Sequence, residues 1–356
     1  MTISKCRFSN IELLRIVSIF LVLVLHSCFL STGVPHYNNC IEKPISSFLI
    51  FFFNSLSCVC VNVFVIISGW FGIHLSKKKL LSFIFQVLFF SFTIYFVFLL
   101  YDTNKYFSKE AVITIFFLKG SEYWFVKAYI GLMILSPLLN LFIKNATNKE
   151  LKSFLILFYT FQTIYAWLSL YGADWFSGGY SATSFIGLYV FIGYLRKSGL
   201  KEFENILSCR YNLVLSAKSY FIIYFTIILS LTFMAYIVTI LDIPVAGRLF
   251  TYTQPFVIIA SVCLFICFSK LTLQNKIINN VAISCFAVYL LHGHELILRP
   301  IFGKIIRDNF NTYNTLEFSI FIISYLVFWF IFAIILDKLR LFIWNKIVYF
   351  FNLKLC

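Results

Sequence analysis

The residues in this chain best suited to chemistry stand near its start. The stretch Asn10-Ile11-Glu12-Leu13-Leu14-Arg15 opens an apolar run that reaches His26. On a helix turning about 100° per residue, Arg15 and His26 lie within about 20° of one face and roughly 16 Å apart along the axis. Glu12 stands one turn before Arg15, at pairing distance. An imidazole is a general base near neutral pH, a guanidinium binds anions, and a carboxylate can hold that guanidinium in place. On an insertion scale a central charge costs about 2.5–3.5 kcal/mol, so ionisable residues within a span usually face a bundle interior or a wet cavity. Each residue also has a plainer reading. Arg15 can snorkel to the nearer surface, and His26 can sit as a polar residue at the far interface. Together, on one face, they favour a polar channel along the helix.

Further candidates lie downstream. Val288-Tyr289-Leu290-Leu291-His292-Gly293-His294 carries two histidines. Read as one continuous helix, it puts His292 on a face with Tyr289 and Arg299, with His294 nearly opposite. Tyr123-Trp124-Phe125-Val126-Lys127-Ala128-Tyr129 places Lys127 about one turn inside a span, where it either serves a site or snorkels outward. The connection from Gly172 to Tyr180 holds Asp174 and Trp175 among glycines and aromatics. Such a set can stack on and hydrogen-bond a sugar, and it is equally what an interfacial aromatic belt looks like. The ten cysteines form no CxxC pair and no Cys/His metal spacing, so no metal site is expected.

The elements that must position these residues are membrane helices. Of 356 residues, 61% are hydrophobic and 12% charged, against roughly 45–50% and about 25% in soluble proteins. A bilayer takes about 20 apolar residues per helix. Spans are predicted at approximately 11–31, 47–72, 80–101, 123–143, 151–171, 181–195, 219–241, 252–269, 280–298 and 316–336. The expected architecture is a single all-α membrane domain over residues 1–356, a bundle of about ten transmembrane helices. Residues 339–356 alternate basic and bulky apolar side chains, as an interfacial amphipathic tail does. With both termini cytoplasmic, nineteen basic residues fall on the cytoplasmic side and eight on the other, the asymmetry that orients inner-membrane proteins. The net charge of +15 therefore reads as a topology signal beside anionic lipid rather than as nucleic-acid binding.

With the elements in place, the motifs match a pattern. The opening from Asn10 to Arg15, followed by ten residues and His26, resembles the first helix of the acyltransferase-3 family of membrane O-acyltransferases. Phe64-Val65-Ile66-Ile67-Ser68-Gly69-Trp70-Phe71 is similar to that family's Ser-Gly-aromatic end of helix two. Trp124-Phe125 with Pro137, and Tyr289-Leu290-Leu291-His292, resemble its later landmarks. The resemblance covers nearly the whole chain in the right order. It implies transfer of an acetyl or other short acyl group from cytoplasmic acyl-CoA to a hydroxyl of a cell-surface or lipid-linked polysaccharide. His26 is then the catalytic base or transient acyl carrier, with Arg15 and Glu12 at the donor side. The basic surface at Lys77, Lys78, Lys79, Arg196 and Lys197 would attract the phosphates of acetyl-CoA. Trp124, Lys127, Asp174, Trp175, Tyr289 and His292 become the expected acceptor-binding residues. One departure is visible: relatives often carry arginines after the Ser-Gly segment, and lysine neutralises phosphate without gripping it bidentately. Two rival readings are a glycan flippase or polymerase and a secondary transporter. The chain lacks an evident large outer loop or cationic central cavity for the first, and convincingly paired Gly/Pro-broken helices for the second.

Overall fold

The computed structural model describes residues 7–110, 113, 123–169, 175–211 and 214–350, and every regular element among them is a helix. Long apolar runs fold this way because a helix satisfies its own backbone groups where lipid cannot. The principal helices are α1 (Ser9–Ser27), α2 (Pro44–Ser57), α3 (Cys60–Phe71), α4 (Lys77–Tyr101), α5 (Trp124–Asn145), α6 (Asn148–Gln162), α7 (Ala182–Tyr194), α8 (Leu200–Tyr211), α9 (Ala217–Ile240), α10 (Pro255–Ser269), α11 (Lys276–Ala282), α12 (Phe286–His292), α13 (Lys304–Thr312) and α14 (Thr315–Phe350). Their starts follow local rules. Pro44 and Pro255 occupy first-turn positions whose N–H has no helical partner. Ser76, Thr147, Ser181, Ser216 and Gln254 cap free N–H groups with side-chain oxygens.

Among the described residues, seven helical segments are long and apolar enough to cross a membrane, or eight if a bent pair counts as one span. The protein is thus a multi-pass membrane protein. The predicted spans at 151–171 and 181–195 form α6, which continues as a π-helix to Leu168, and α7; neither is among those segments. The predicted ninth span, 280–298, is not one continuous helix. It ends at His292, and the chain turns by 62° before running on through Glu295–Thr312. At the break a Cβ on Gly293 would lie 2.6 Å from the Tyr289 carbonyl oxygen, and the His294 side chain accepts a hydrogen bond from the Leu296 N–H. Arg299 therefore does not share a helical face with His292, because the regular turn that would relate them is interrupted.

Helix α1 is the hub of the bundle, packing against α2, α3, α10, α11, α12 and α14. Leu14, Ile19 and Leu23 on it are almost wholly buried. Asn10 ties its start to the end of α10, donating to the carbonyls of Phe268 and Leu271 at 3.0 and 2.9 Å. The Ser-Gly pair of α3 has two separate tasks. A Cβ on Gly69 would meet Ile192 at 2.2 Å, so glycine lets α3 and α7 approach. Ser68 instead bonds its hydroxyl to that of Tyr129, at 2.9 Å. Helix α14 runs unbroken from Thr315 to Phe350, with no kink between the predicted span and residues 339–350. There the buried Asp337 pairs with Arg340 at 2.8 Å and accepts from Gln86 of α4 at 2.9 Å, satisfying both charges.

Candidate active site

Helices α1 and α12 bring two histidines together across 266 positions of sequence. His26 Nδ1 lies 2.9 Å from His292 Nε2, and His292 Nδ1 lies 2.5 Å from the Val288 carbonyl oxygen one turn earlier. A carbonyl only accepts, so His292 carries its proton on Nδ1. Neutral His292 then offers a lone pair at Nε2, which His26 Nδ1–H must donate to. This leaves the lone pair of His26 at Nε2, on the ring edge turned away from His292. The second imidazole thus fixes the first one's tautomer and orientation, as a carboxylate does in a hydrolytic triad. His292 is fully buried, while His26 is only half-buried and lines a cavity.

That cavity measures about 600 Å³ and is walled by Asn54, Tyr123, Trp124, Tyr180, Tyr252, Tyr289, Glu295 and Arg299. Three of its aromatics cluster. The ring centroids of Trp124 and Tyr180 are 4.4 Å apart, those of Tyr180 and Tyr252 5.0 Å, and Trp124 stacks on Tyr252 at 5.9 Å. Gly179, at φ +103°, lets the preceding loop lie against Tyr252, where a Cβ would come within 2.4 Å. Tyr123 holds the break in α12, its hydroxyl donating to the Leu290 carbonyl oxygen at 2.5 Å. It does so from a left-handed backbone (φ 43°, ψ 39°), uncommon for a non-glycine residue.

Toward Arg15 the space narrows to a small cavity of about 30 Å³, bounded by Ile19, Val22, His26, Phe64, Phe125 and Phe286 among others. That is room for about two waters. Phe125 closes it, with ring centroids 6.2 Å from both Phe64 and Phe286. Beyond it, Arg15 donates to both oxygens of Glu12, at 3.2 and 3.3 Å, and Arg7 approaches the same carboxylate at 3.8 Å. A larger groove of about 750 Å³ runs between α1, α2 and α14, but His26 is not in its lining, and its walls are mainly apolar side chains such as Phe20, Val24, Leu49 and Ile322.

The structure therefore brings some of the sequence candidates to one site and leaves others elsewhere. His26, Trp124 and Tyr289 line the 600 Å³ cavity. His292 was expected at the acceptor; it sits instead behind His26, outside the cavity lining, because the end of α12 packs inside the bundle. Trp175 is 72% exposed and, like Lys127, is not in the lining. Asp174 lies outside the described residues. On the Arg15 side, Lys197 Nζ donates to the carbonyls of Ile143, Lys144 and Ala146, at 3.0, 3.1 and 2.7 Å, closing the end of α5. Arg196 donates to the Trp70 carbonyl at 2.6 Å, and Lys79 to that of His74 at 3.2 Å. Lys77 and Lys78 are exposed at the first turn of α4. Tyr180, the end of the aromatic connection singled out in the sequence, does line the cavity, whereas sequence reasoning missed Asn54 and Tyr252. An asparagine inside the apolar run Phe51-Phe52-Phe53-Asn54 was the one available signal, since a polar side chain in lipid demands a partner or a cavity.

Residues 8–338 match the acyltransferase domain in a comparison with protein families. No curated protein and no solved structure gives a significant match. With the match running across almost the whole chain, from before Glu12 to beyond His292, the protein belongs to the acyltransferase-3 family of membrane acyltransferases.

Proposed function

We propose that the protein is an O-acyltransferase of the cell inner (plasma) membrane that moves an acetyl or other short acyl group from cytoplasmic acyl-CoA to a hydroxyl of a surface or lipid-linked polysaccharide. The observation that carries this reading is the His26–His292 pair, which leaves His26 Nε2 as a base on the wall of an aromatic-lined cavity. His26 takes the proton of the acceptor hydroxyl as its oxygen attacks the thioester carbonyl. The intermediate collapses by expelling the thiolate, which recovers that proton from the imidazolium. Trp124, Tyr180 and Tyr252 offer flat faces for a sugar ring, while Tyr123 and Tyr289 shape the floor beside His26. With both termini cytoplasmic, the cavity opens outward and Arg15, with Glu12, stands near the donor side. Arg15, Lys77 and Lys78 then meet the phosphates of acetyl-CoA.

The thioester arm has to pass Phe64, Phe125 and Phe286, and about 30 Å³ does not admit it. Donor binding is therefore expected to move Phe125, whose displacement opens the small cavity toward Arg15. The test uses sided vesicles. Right-side-out vesicles loaded with labelled acetyl-CoA should acetylate glycan added outside, and vesicles given acetyl-CoA only outside should not. Equal activity with donor and acceptor both confined outside would overturn the vectorial arrangement. No label transfer under any arrangement, by protein shown to be folded, would overturn the O-acetyltransferase reading.

A further inference from the structure

Asn54 lines the His26 cavity at 2% exposure, and its side chain makes no hydrogen bond among the described residues. Other buried asparagines of the bundle are tied up. Asn62 donates to the Tyr252 carbonyl at 3.1 Å, and the Asn10 amide is held by the end of α10. The polar neighbours of Asn54 are satisfied as well. Ser55 bonds to the Phe51 carbonyl and to Thr232, and Ser57 bonds to the Phe53 carbonyl. The Asn54 amide is not one of the sealed, unpartnered polar atoms of the bundle; the cavity itself reaches it, so a ligand entering there can complete its hydrogen bonds. Helix α2 packs directly on α1, and Asn54 and His26 line the same cavity.

We propose that Asn54 is a catalytic residue, its Nδ2–H group donating to the acyl carbonyl oxygen as that oxygen becomes an oxyanion. The inference rests on the reading of His26 as the base. His26 removes the proton from the acceptor hydroxyl, and the C–O bond forms to the thioester carbonyl. The electron pair displaced onto oxygen is held by Asn54. It returns as the C–S bond breaks, and the thiolate leaves with the proton from His26. Two other donors of the cavity suit this role less. Tyr123 already donates to Leu290, and Trp124 is packed in the Tyr180–Tyr252 cluster that fits a sugar face. A preformed donor at a developing oxyanion is worth more than the same bond to the ground-state carbonyl, so its loss appears in kcat.

The measurement is steady-state acetyl transfer from labelled acetyl-CoA to glycan extracted from cells lacking the protein, in membranes matched for protein level. Asn54→Ala should lower kcat by about 10²–10³-fold while KM for both substrates stays within about threefold. Asn54→Asp, nearly isosteric but without the N–H, should be no better than Asn54→Ala. Asn54→Ser, which keeps a smaller donor, should recover part of the loss. Thermal unfolding in detergent separates a folding defect from this pattern, and the serine variant provides the decisive comparison if the alanine protein is unstable. Asn54→Ala within threefold of the parent, or Asn54→Asp equal to it, overturns the assignment of Asn54 alone. Activity surviving in His26→Ala overturns the base reading beneath it.

Discussion

The His26 side and the Arg15 side of the molecule use polar residues in opposite ways. Around His26, polar groups are held by other buried groups and aimed at space: one imidazole orients another, and a cavity of about 600 Å³ stands in front. Around Arg15, several cations are tied to the chain itself. Lys197, Arg196 and Lys79 all donate to backbone carbonyls, where they complete groups that a helix or loop end leaves open. Positive charge near a helix C-terminus is also favoured by the dipole. A basic surface read from composition is therefore two populations, one bracing helix ends and one available to an anion. Under the proposed function, the His26 side is pre-organised, whereas the Arg15 side is narrow and would have to rearrange to admit an acyl donor.

The comparison breaks most decisively at His26. His26→Ala should abolish transfer, a loss of about 10²–10⁴-fold for a general base, with unchanged protein in the membrane. Label transfer assays on matched membranes read this directly, and near-parental activity would mean that the pre-organised side is not where the reaction occurs.

His292 sharpens the same contrast with a smaller effect. If it positions rather than touches substrate, His292→Ala should lower kcat by about ten- to a hundredfold, less than loss of the base itself, with KM for the acceptor little changed. His292→Gln keeps an acceptor toward His26 Nδ1 and a donor toward Val288, and should retain more activity than His292→Ala. A rise in acceptor KM without a fall in kcat would return His292 to substrate binding. His294 is buried beside Tyr123 and caps the segment after the break, so its loss acts through local structure.

How much of this was legible in the sequence follows from the range of each signal. Arg15 and His26 share one helix, so their relation reduces to eleven residues at a fixed turn and rise. The membrane class follows from runs of apolar residues, which are local too. The His26–His292 bond joins residues 266 positions apart, and no periodicity within either helix encodes it. The break after His292 was hidden because a single glycine is common within membrane helices, and what matters here is the crowding of Gly293 against Tyr289. Lys197 looked like a phosphate ligand because charge is visible in sequence while the open carbonyls at the end of α5 are not. Asn54 was readable as an anomaly, but its meaning depends on a cavity formed by several other helices.

The smallest expected effect tests the division of the cations. Lys197 bridges three carbonyls from an exposed position, so Lys197→Met should cost about 0.3–1 kcal/mol of stability, the range for a cation at a helix C-terminus, and leave KM for acetyl-CoA nearly unchanged. Lys77 and Lys78 are exposed at the start of α4 and make no side-chain hydrogen bond or ion pair among the described residues. Their joint replacement by alanine should do the reverse, raising KM for acetyl-CoA severalfold, most visibly at low ionic strength where screening is weak, with little change in thermal unfolding. The two substitutions thus exchange their readouts. Should Lys197→Met raise the donor KM as much as the Lys77/Lys78 pair does, the carbonyl contacts would be a resting arrangement that acyl-CoA displaces. The Arg15 side would then be a single anion site that closes on itself when empty.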